Sequence, residues 1–76
     1  MDSLVKSIDS IISNRGGKIE RDKSMAKIYS NDQLIFRLYE NVNNNGTYFL
    51  LDVNGMSQAS PLMDFLIIDF FRSLYK

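Results

Sequence analysis

The spacing of apolar residues changes twice along the chain and divides it into three parts. The first part carries four apolar residues at helical spacing, with polar residues between them: Leu4, Ile8, Ile11 and Ile12. This spacing predicts one amphipathic helix. Asp2 or Ser3 can cap its start, and Arg15 suits the negative end of its dipole. Gly16 and Gly17 supply the left-handed residue that ends a helix.

From residue 18 to residue 53 the period changes to two, which predicts β-strands. "LIFRLYEN" (34–41) and "TYFLLDV" (47–53) predict two strands, and "MAKIY" (25–29) predicts a shorter one. "GKIERDK" (17–23) is charged and can pair with it as a short edge strand. The middle of the chain therefore predicts an antiparallel meander of three or four strands.

Two turns set the expected pairing of these strands. Asn45-Gly46 suits a two-residue turn with positive φ at both positions, and this turn places Tyr39 opposite Asp52. A loop of three to five residues would shift that pairing. Between the two earlier strands, we expect a three-residue loop (30–32), because a two-residue loop would bury Lys27.

These registers leave one face of the sheet without a helix to cover it. We expect that face to carry Lys27, Tyr29, Ile35, Arg37, Tyr39, Tyr48, Leu50 and Asp52. Tyrosine, arginine and aliphatic residues are a mixture enriched at protein interfaces. Two interpretations remain open: the face binds a partner, or its cross-strand aromatic pairs stabilise a sheet exposed to solvent.

The last part, "SPLMDFLIIDFFRSLYK" (60–76), predicts a second helix with Ser60 at the N-cap, Pro61 at the first helical position and Asp64 in the first turn. Eight apolar residues occupy an arc of roughly 200° around it: Met63, Leu66, Ile67, Ile68, Phe70, Phe71, Leu74 and Tyr75. An arc of about 100° suffices to pack one face on a sheet. We expect the first helix to lie alongside, and the surplus, centred on Phe65 or on Phe71 and Tyr75, to be available for a partner or a dimer.

Together these parts predict a single α+β domain over residues 1–76, with an N-terminal helix, a meander sheet and a C-terminal helix packed on one face. The apolar tail contains Asp64, Asp69 and Arg72 and is shorter than the about 20 residues that span a membrane. The N-terminus is acidic and interrupted by polar residues, unlike a signal peptide. We therefore expect no membrane association and a cytoplasmic location.

Composition excludes most enzyme chemistry. The chain has no histidine and no cysteine, the commonest general base and the best nucleophile, and both are common metal ligands. We expect no enzyme activity, no cofactor and no metal. Nine basic and nine acidic side chains give zero net charge, so nucleic acid is not the default partner, although residues 15–27 carry a local excess of basic side chains.

The leading hypothesis is a non-enzymatic module that binds, and inhibits or regulates, another protein. Its candidate contacts are Tyr29, Arg37, Tyr39, Tyr48, Leu50, Phe65, Phe71 and Tyr75. One alternative is a single-stranded nucleic-acid binder, in which Tyr29, Tyr39 and Tyr48 stack on bases while Lys27 and Arg37 meet phosphates. Another is a homodimer formed through the last helix.

In its size, its asparagine-rich stretch "NVNNNG" (41–46) and its lack of cysteine, the chain resembles the small phage-encoded proteins that block host defences, anti-CRISPR proteins among them. The resemblance is one of size and composition over the whole chain and carries over no functional residue. It implies an inhibitor whose partner is another protein.

Overall fold

The computed structural model describes residues 1–53 and 61–76, which form two helices on one face of an antiparallel sheet. In chain order the elements are α1 (Asp2–Ile12), a 3₁₀ turn (Ser13–Arg15), β1 (Gly17–Asp22), β2 (Met25–Ser30), β3 (Gln33–Glu40), β4 (Thr47–Asp52), β5 (Leu62–Met63) and α2 (Asp64–Leu74). The sheet order is β1-β2-β3-β4-β5. The predicted α+β meander is confirmed, with the charged segment as edge strand β1 and β5 as an added fifth strand.

Helix α1 forms where the apolar spacing predicts it and buries Leu4, Ile8 and Ile12. It ends through the 3₁₀ turn at Gly16, whose φ of 80° is the left-handed conformation that glycine adopts without strain. The predicted side-chain caps are wrong. Asp2 already lies in the first turn, and its carboxylate instead accepts a hydrogen bond from Arg21 Nη1 on β1.

The turn between β2 and β3 differs from the expected three-residue loop. Asn31 and Asp32 have φ values of 51° and 68° and form a two-residue turn that places Ser30 opposite Gln33. A β-bulge then shifts the register between Ile28 and Tyr29. The bulge inserts one residue of β3, so Ala26 and Ile28 still face the core and Lys27 does not.

The register of β3 and β4 also differs from the prediction. Tyr39 lies opposite Phe49, whereas the Asn45-Gly46 turn would have placed it opposite Asp52. The difference is three residues, and an odd shift turns every side chain of a strand to the other face. Tyr48 and Leu50 therefore face the core, while Phe49 and Leu51 face away from it.

Helix α2 begins later than the sequence predicts. Leu62 pairs with Tyr48 and Met63 pairs with Thr47, so these two residues extend the sheet before the helix starts at Asp64. Asp64 Oδ1 accepts a hydrogen bond from the backbone N–H of Phe65 at 2.7 Å. The helix exists as predicted, but its expected first position at Pro61 is wrong, and the expected cap Ser60 lies outside the described residues.

The core lies between the helices and one sheet face. Its buried apolar residues are Leu4, Ile8, Ile12, Ala26, Ile28, Leu38, Tyr48, Leu50, Ile67 and Phe71. At one margin, Phe36, Phe70 and Phe71 form three edge-to-face ring pairs with centroids 5.4, 5.6 and 5.3 Å apart, a geometry that adds to burial. Within residues 1–53 and 61–76, no helix covers the opposite face of the sheet, which is called the open sheet face below.

Candidate functional site

The first candidate surface is the open sheet face, which the strand registers define. On β2, β3 and β4 it includes Met25, Lys27, Tyr29, Leu34, Arg37, Tyr39, Phe49 and Leu51. All eight are half-buried, because flat packing on a sheet lets neighbouring side chains cover one another. Met25, Tyr39 and Phe49 form one row across three strands. In the next row Lys27 lies opposite Arg37, which lies opposite Leu51.

Charge is graded across this face. At the β1 edge, Lys18 Nζ lies 3.1 Å from Glu20 Oε2, and Glu20 is also opposite Lys27. The hydrogen bond and the charge of Lys18, followed by a hydrogen bond from Tyr29, lower the pKa of the Glu20 carboxyl. The same hydrogen bond and the charge of Glu20 raise the pKa of Lys18. Paired charges thus occupy the β1 edge, two cations the centre and apolar side chains the β4 side.

The second candidate surface is the α2 apolar stripe, formed by Leu66, Phe70 and Leu74. These side chains recur every four residues, so they share one face of the helix. They are 43, 37 and 51% exposed. Ile67 and Phe71, one position further along, are fully buried, which shows that the helix packs on the core with the neighbouring face.

The structure divides the sequence-predicted site residues into two groups. Tyr29, Arg37 and Tyr39 lie on the open sheet face, and Phe65 is 54% exposed at the start of α2. The others belong to the interior: Tyr48, Leu50, Phe71 and Tyr75. The prediction that Tyr48, Leu50 and Phe71 are surface contacts is wrong. The shifted register of β4 buries Tyr48 and Leu50, and the packing of α2 on the core buries Phe71.

Tyr75 is only partly buried, unlike Tyr48, Leu50 and Phe71. Its ring packs against the core, and its hydroxyl oxygen is buried without a hydrogen-bond partner among the described residues. Burial also affects Tyr48, whose pKa it raises, with smaller contributions from the charges of Asp64 and Glu40. Neither phenol is placed to meet a partner.

Sequence reasoning missed the residues that replace these on the surface. The predicted register of β4 places Tyr48 and Leu50 on the open face and hence Phe49 and Leu51 on the core face. Both faces of "YFLL" (48–51) are apolar, so only the register distinguishes them. The alternation along β3 predicts Ile35 on the open face, whereas the bulge turns it towards the core. The α2 apolar stripe lay within the predicted arc. Its excessive width was the available signal, but width alone does not show which flank stays uncovered.

A third feature is an open cleft between the C-terminal ends of the helices. Its lining residues are Ser10, Ile11, Asn14, Arg15, Arg72 and Lys76. Three of these six side chains are cationic. The lining comes from α1 with its 3₁₀ turn on one side and from the end of α2 on the other, so the cleft depends on how the helices pack.

Two further observations concern the part of the chain that the structure describes. Within residues 1–53 and 61–76, no cluster of three or more acidic side chains is arranged to hold a metal ion. Neither α1 nor α2 is long and apolar enough to cross a membrane.

Comparison of the chain with protein-family models, with curated proteins and with solved structures finds no match. The function is therefore argued from the three surfaces alone.

Proposed function

We propose that the chain is a non-enzymatic protein-binding module that inhibits or regulates another protein in the cytoplasm. The observation that carries this proposal is the α2 apolar stripe. Three large apolar side chains, each more than a third exposed, share one face of a helix. Single exposed apolar residues are ordinary on a soluble protein, whereas a contiguous apolar patch is typical of an interaction surface.

The spacing of the stripe favours a particular mode of recognition. Leu66, Phe70 and Leu74 are four residues apart, so their side chains form a nearly straight row along α2. Amphipathic helices bind grooved partners through apolar anchors at such spacing. Phe70 is held by edge-to-face contacts with Phe36 and Phe71, so an aromatic side chain at the centre of the row is already ordered before binding, which lowers the entropic cost.

The open sheet face offers a second contact area for the same partner or for another part of it. Tyr39 lies between Met25 and Phe49, and Arg37 lies beside it on the strand. Tyrosine and arginine contribute much of the binding energy at many interfaces. Blocking a host defence protein, as the resemblance in size and composition implies, is one form that such binding could take.

The test is affinity capture from a lysate of the source organism with the full chain as bait, followed by mass spectrometry. Leu66→Lys with Leu74→Lys places two charges in the stripe without touching the core. Val42→Lys is the matched control, because Val42 is 78% exposed in the loop after β3. We expect the wild type and the control to retain the partner and the double variant to lose it.

A third bait, Arg37→Ala with Tyr39→Ala, separates the two surfaces. Loss of the partner with this bait alone would show that the partner binds the open sheet face and not the α2 apolar stripe. If every bait with a native circular dichroism spectrum retained the same partner, neither surface would be the site and the proposal would be wrong.

Homodimerisation is a second candidate, and the geometry of the stripe favours it specifically. In an antiparallel pair of α2 helices centred on Phe70, Leu66 of one copy meets Leu74 of the other, so the row is complementary to itself. Light scattering would show a dimer mass for the wild type and a monomer for Leu66→Lys. A monomer at high wild-type concentration would exclude this candidate.

Single-stranded nucleic-acid binding is favoured by one observation, the adjacency of Lys27 and Arg37 between Tyr29 and Tyr39 on the open sheet face. The tyrosines could stack on bases while the cations meet phosphates. Glu20 and Asp22 at the neighbouring edge oppose it electrostatically. Fluorescence anisotropy with labelled oligonucleotides decides the matter, because a chain that does not bind at low salt is not such a binder.

A further inference from the structure

The cleft between the helix ends has a composition that neither candidate surface shares. Arg15 reaches it from the 3₁₀ turn, and Arg72 and Lys76 reach it from the end of α2. Asn14 adds an amide group and Ile11 an apolar wall. The side chains that define the cleft therefore come from two separate segments that only the folded chain brings together.

The positive charge of this cleft is only partly balanced. Arg72 Nη1 lies 3.8 Å from Asp69 Oδ1, and both side chains are about two-thirds exposed. An exposed pair at that distance is weak. Among the ion pairs formed by the described residues, none involves Arg15 or Lys76. Helix C-termini attract cations through their dipoles and their unpaired carbonyl groups, which accounts for the position of these side chains but gives Arg15 and Lys76 no carboxylate partner among the described residues.

The backbone under Arg15 is fixed in place. The 3₁₀ turn ends at Gly16, whose carbonyl oxygen accepts a hydrogen bond from the backbone N–H of Asn31 at 2.9 Å. This bond joins the end of α1 to the turn between β2 and β3. The hydroxyl of Ser10 is already engaged, since it donates to the carbonyl oxygen of Lys6 at 3.0 Å. Among the described residues, the side chains of Asn14, Arg15 and Lys76 thus keep their donors for a ligand, and Arg72 makes only the weak pair with Asp69.

We propose that this cleft is a binding site for a phosphate group. A phosphate dianion matches two or three converging cations in charge, and arginine presents paired N–H donors that fit two phosphate oxygens at once. The site is independent of the α2 apolar stripe. At 3.6 residues per turn, Arg72 lies about 160° around the helix from Phe70, so a ligand in the cleft and a partner on the stripe occupy different sides of α2.

The test is a titration of the full ¹⁵N-labelled chain with inorganic phosphate at pH 7.5, followed by two-dimensional NMR at constant ionic strength set with sodium chloride. We expect saturable shifts of the amides of Asn14 and Arg15 and of the end of α2. Adenosine monophosphate is a second arm. Equal affinity for both probes identifies free phosphate as the recognised chemistry, and tighter binding of the nucleotide shows that the phosphate belongs to a larger ligand.

Arg15→Gln with Lys76→Gln should weaken phosphate binding by about ten-fold or more, since each removes a charge-assisted hydrogen bond. Lys18→Gln with Lys23→Gln is the matched control, because it removes the same charge from two positions in and after β1 that do not line the cleft. All four side chains are exposed, and the NMR spectra themselves report whether the variants fold. Shifts that grow linearly without saturation, or equal affinities for the two double variants, would overturn the proposal.

Discussion

Asn41 and Thr47 close the loop between β3 and β4 through two parallel contacts. The backbone N–H of Asn41 donates to the carbonyl oxygen of Thr47, and Asn41 Nδ2 donates to Thr47 Oγ1, both at 3.0 Å. Asn41 Oδ1 also accepts the backbone N–H of Asn43 at 3.1 Å. Because Asn41 is buried, its side chain fixes the six-residue loop and therefore the register of β4.

The first prediction concerns this loop. Asn41→Ala should lower the free energy of unfolding by about 1–3 kcal/mol, because two side-chain hydrogen bonds are lost and Thr47 is left with one fewer partner. Urea denaturation followed by circular dichroism measures the change. A domain of this size has only a few kcal/mol of stability, so the effect is large.

Asn45→Ala is the discriminating control for that experiment. Asn45 would occupy a turn with positive φ if Asn45-Gly46 formed a two-residue hairpin, and alanine there would be costly. In the observed loop Asn45 is exposed and lies outside the region of positive φ, so its replacement should change stability by less than about 0.5 kcal/mol. The reverse order of the two effects would contradict the observed loop.

This loop also explains how far the sequence predicts the sheet. Strand positions follow from alternating apolar residues, and all four long strands appear where that pattern indicates. The register of β4 does not follow, because Tyr48, Phe49, Leu50 and Leu51 satisfy either face. What decides between the faces is the side-chain chemistry of Asn41, a local signal that the stronger turn preference of Asn45-Gly46 obscures.

The second prediction concerns the turn between β2 and β3. Asp32 has a φ of 68°, which costs less for glycine than for any L side chain. Asp32→Gly creates the preferred Asn-Gly pair and should raise stability by about 0.5 kcal/mol. Asp32→Val should lower it by about 1–2 kcal/mol, since a branched side chain resists positive φ. Thermal unfolding of both variants gives the sign of each change in stability. Stabilisation by Asp32→Val would show that Asp32 does not adopt positive φ in this turn.

Ala26 and Ile28 face the core as the sequence predicts, but a bulge places them there and not the expected three-residue loop. A two-residue turn alone would turn Lys27 to the core. The bulge at Ile35 corrects the phase, and sequence alone gives no signal for a bulge when Leu34, Ile35 and Phe36 are all apolar. For this reason the sequence predicts Ile35 on the open face, whereas it packs against the core.

The third prediction concerns close packing at the start of β1. A Cβ atom on Gly17 would lie 2.5 Å from Ile12 Cβ and 2.8 Å from the Ile12 carbonyl oxygen. Because Ile12 is fully buried, it cannot move aside. Gly17→Ala should therefore cost about 1–3 kcal/mol. Gly46→Ala has only backbone strain, since a Cβ there meets nothing within 4 Å at a φ of 87°, and should cost about 1–2 kcal/mol.

The two glycine variants differ in how they can be rescued. Ile12→Ala removes Cγ1, which a Cβ atom on Gly17 would meet at 2.8 Å, and leaves room in the core for residue 12 to shift. Combining Gly17→Ala with Ile12→Ala should therefore cost less than the sum of the single changes. The effects of Ile12→Ala and Gly46→Ala on stability should instead be additive, because a Cβ atom on Gly46 meets nothing within 4 Å. Strict additivity for both pairs in a double-mutant cycle would show that the Ile12 side chain beyond Cβ does not oppose a side chain at position 17.

The fourth prediction uses the buried hydroxyl of Tyr75, which lacks a hydrogen-bond partner among the described residues. A buried hydroxyl without a partner opposes folding, because it gives up its hydrogen bonds to water. Tyr75→Phe should leave stability unchanged or raise it by up to about 1 kcal/mol. Denaturation of the variant measures this, and a clear loss of stability would mean that the hydroxyl is bonded in solution.

The fifth prediction tests the surface on which the proposed function depends. Leu66 and Ile67 are neighbours on α2, but Leu66 is exposed in the α2 apolar stripe and Ile67 is fully buried. Ile67→Ala should cost about 2–5 kcal/mol, whereas Leu66→Lys should change stability by less than about 1 kcal/mol, because lysine and leucine have similar helix propensities. If Leu66→Lys destabilised the monomer as much as Ile67→Ala does, the stripe would belong to the core. A neutral result shows that the exposed leucine has no role in folding, as the proposed function requires.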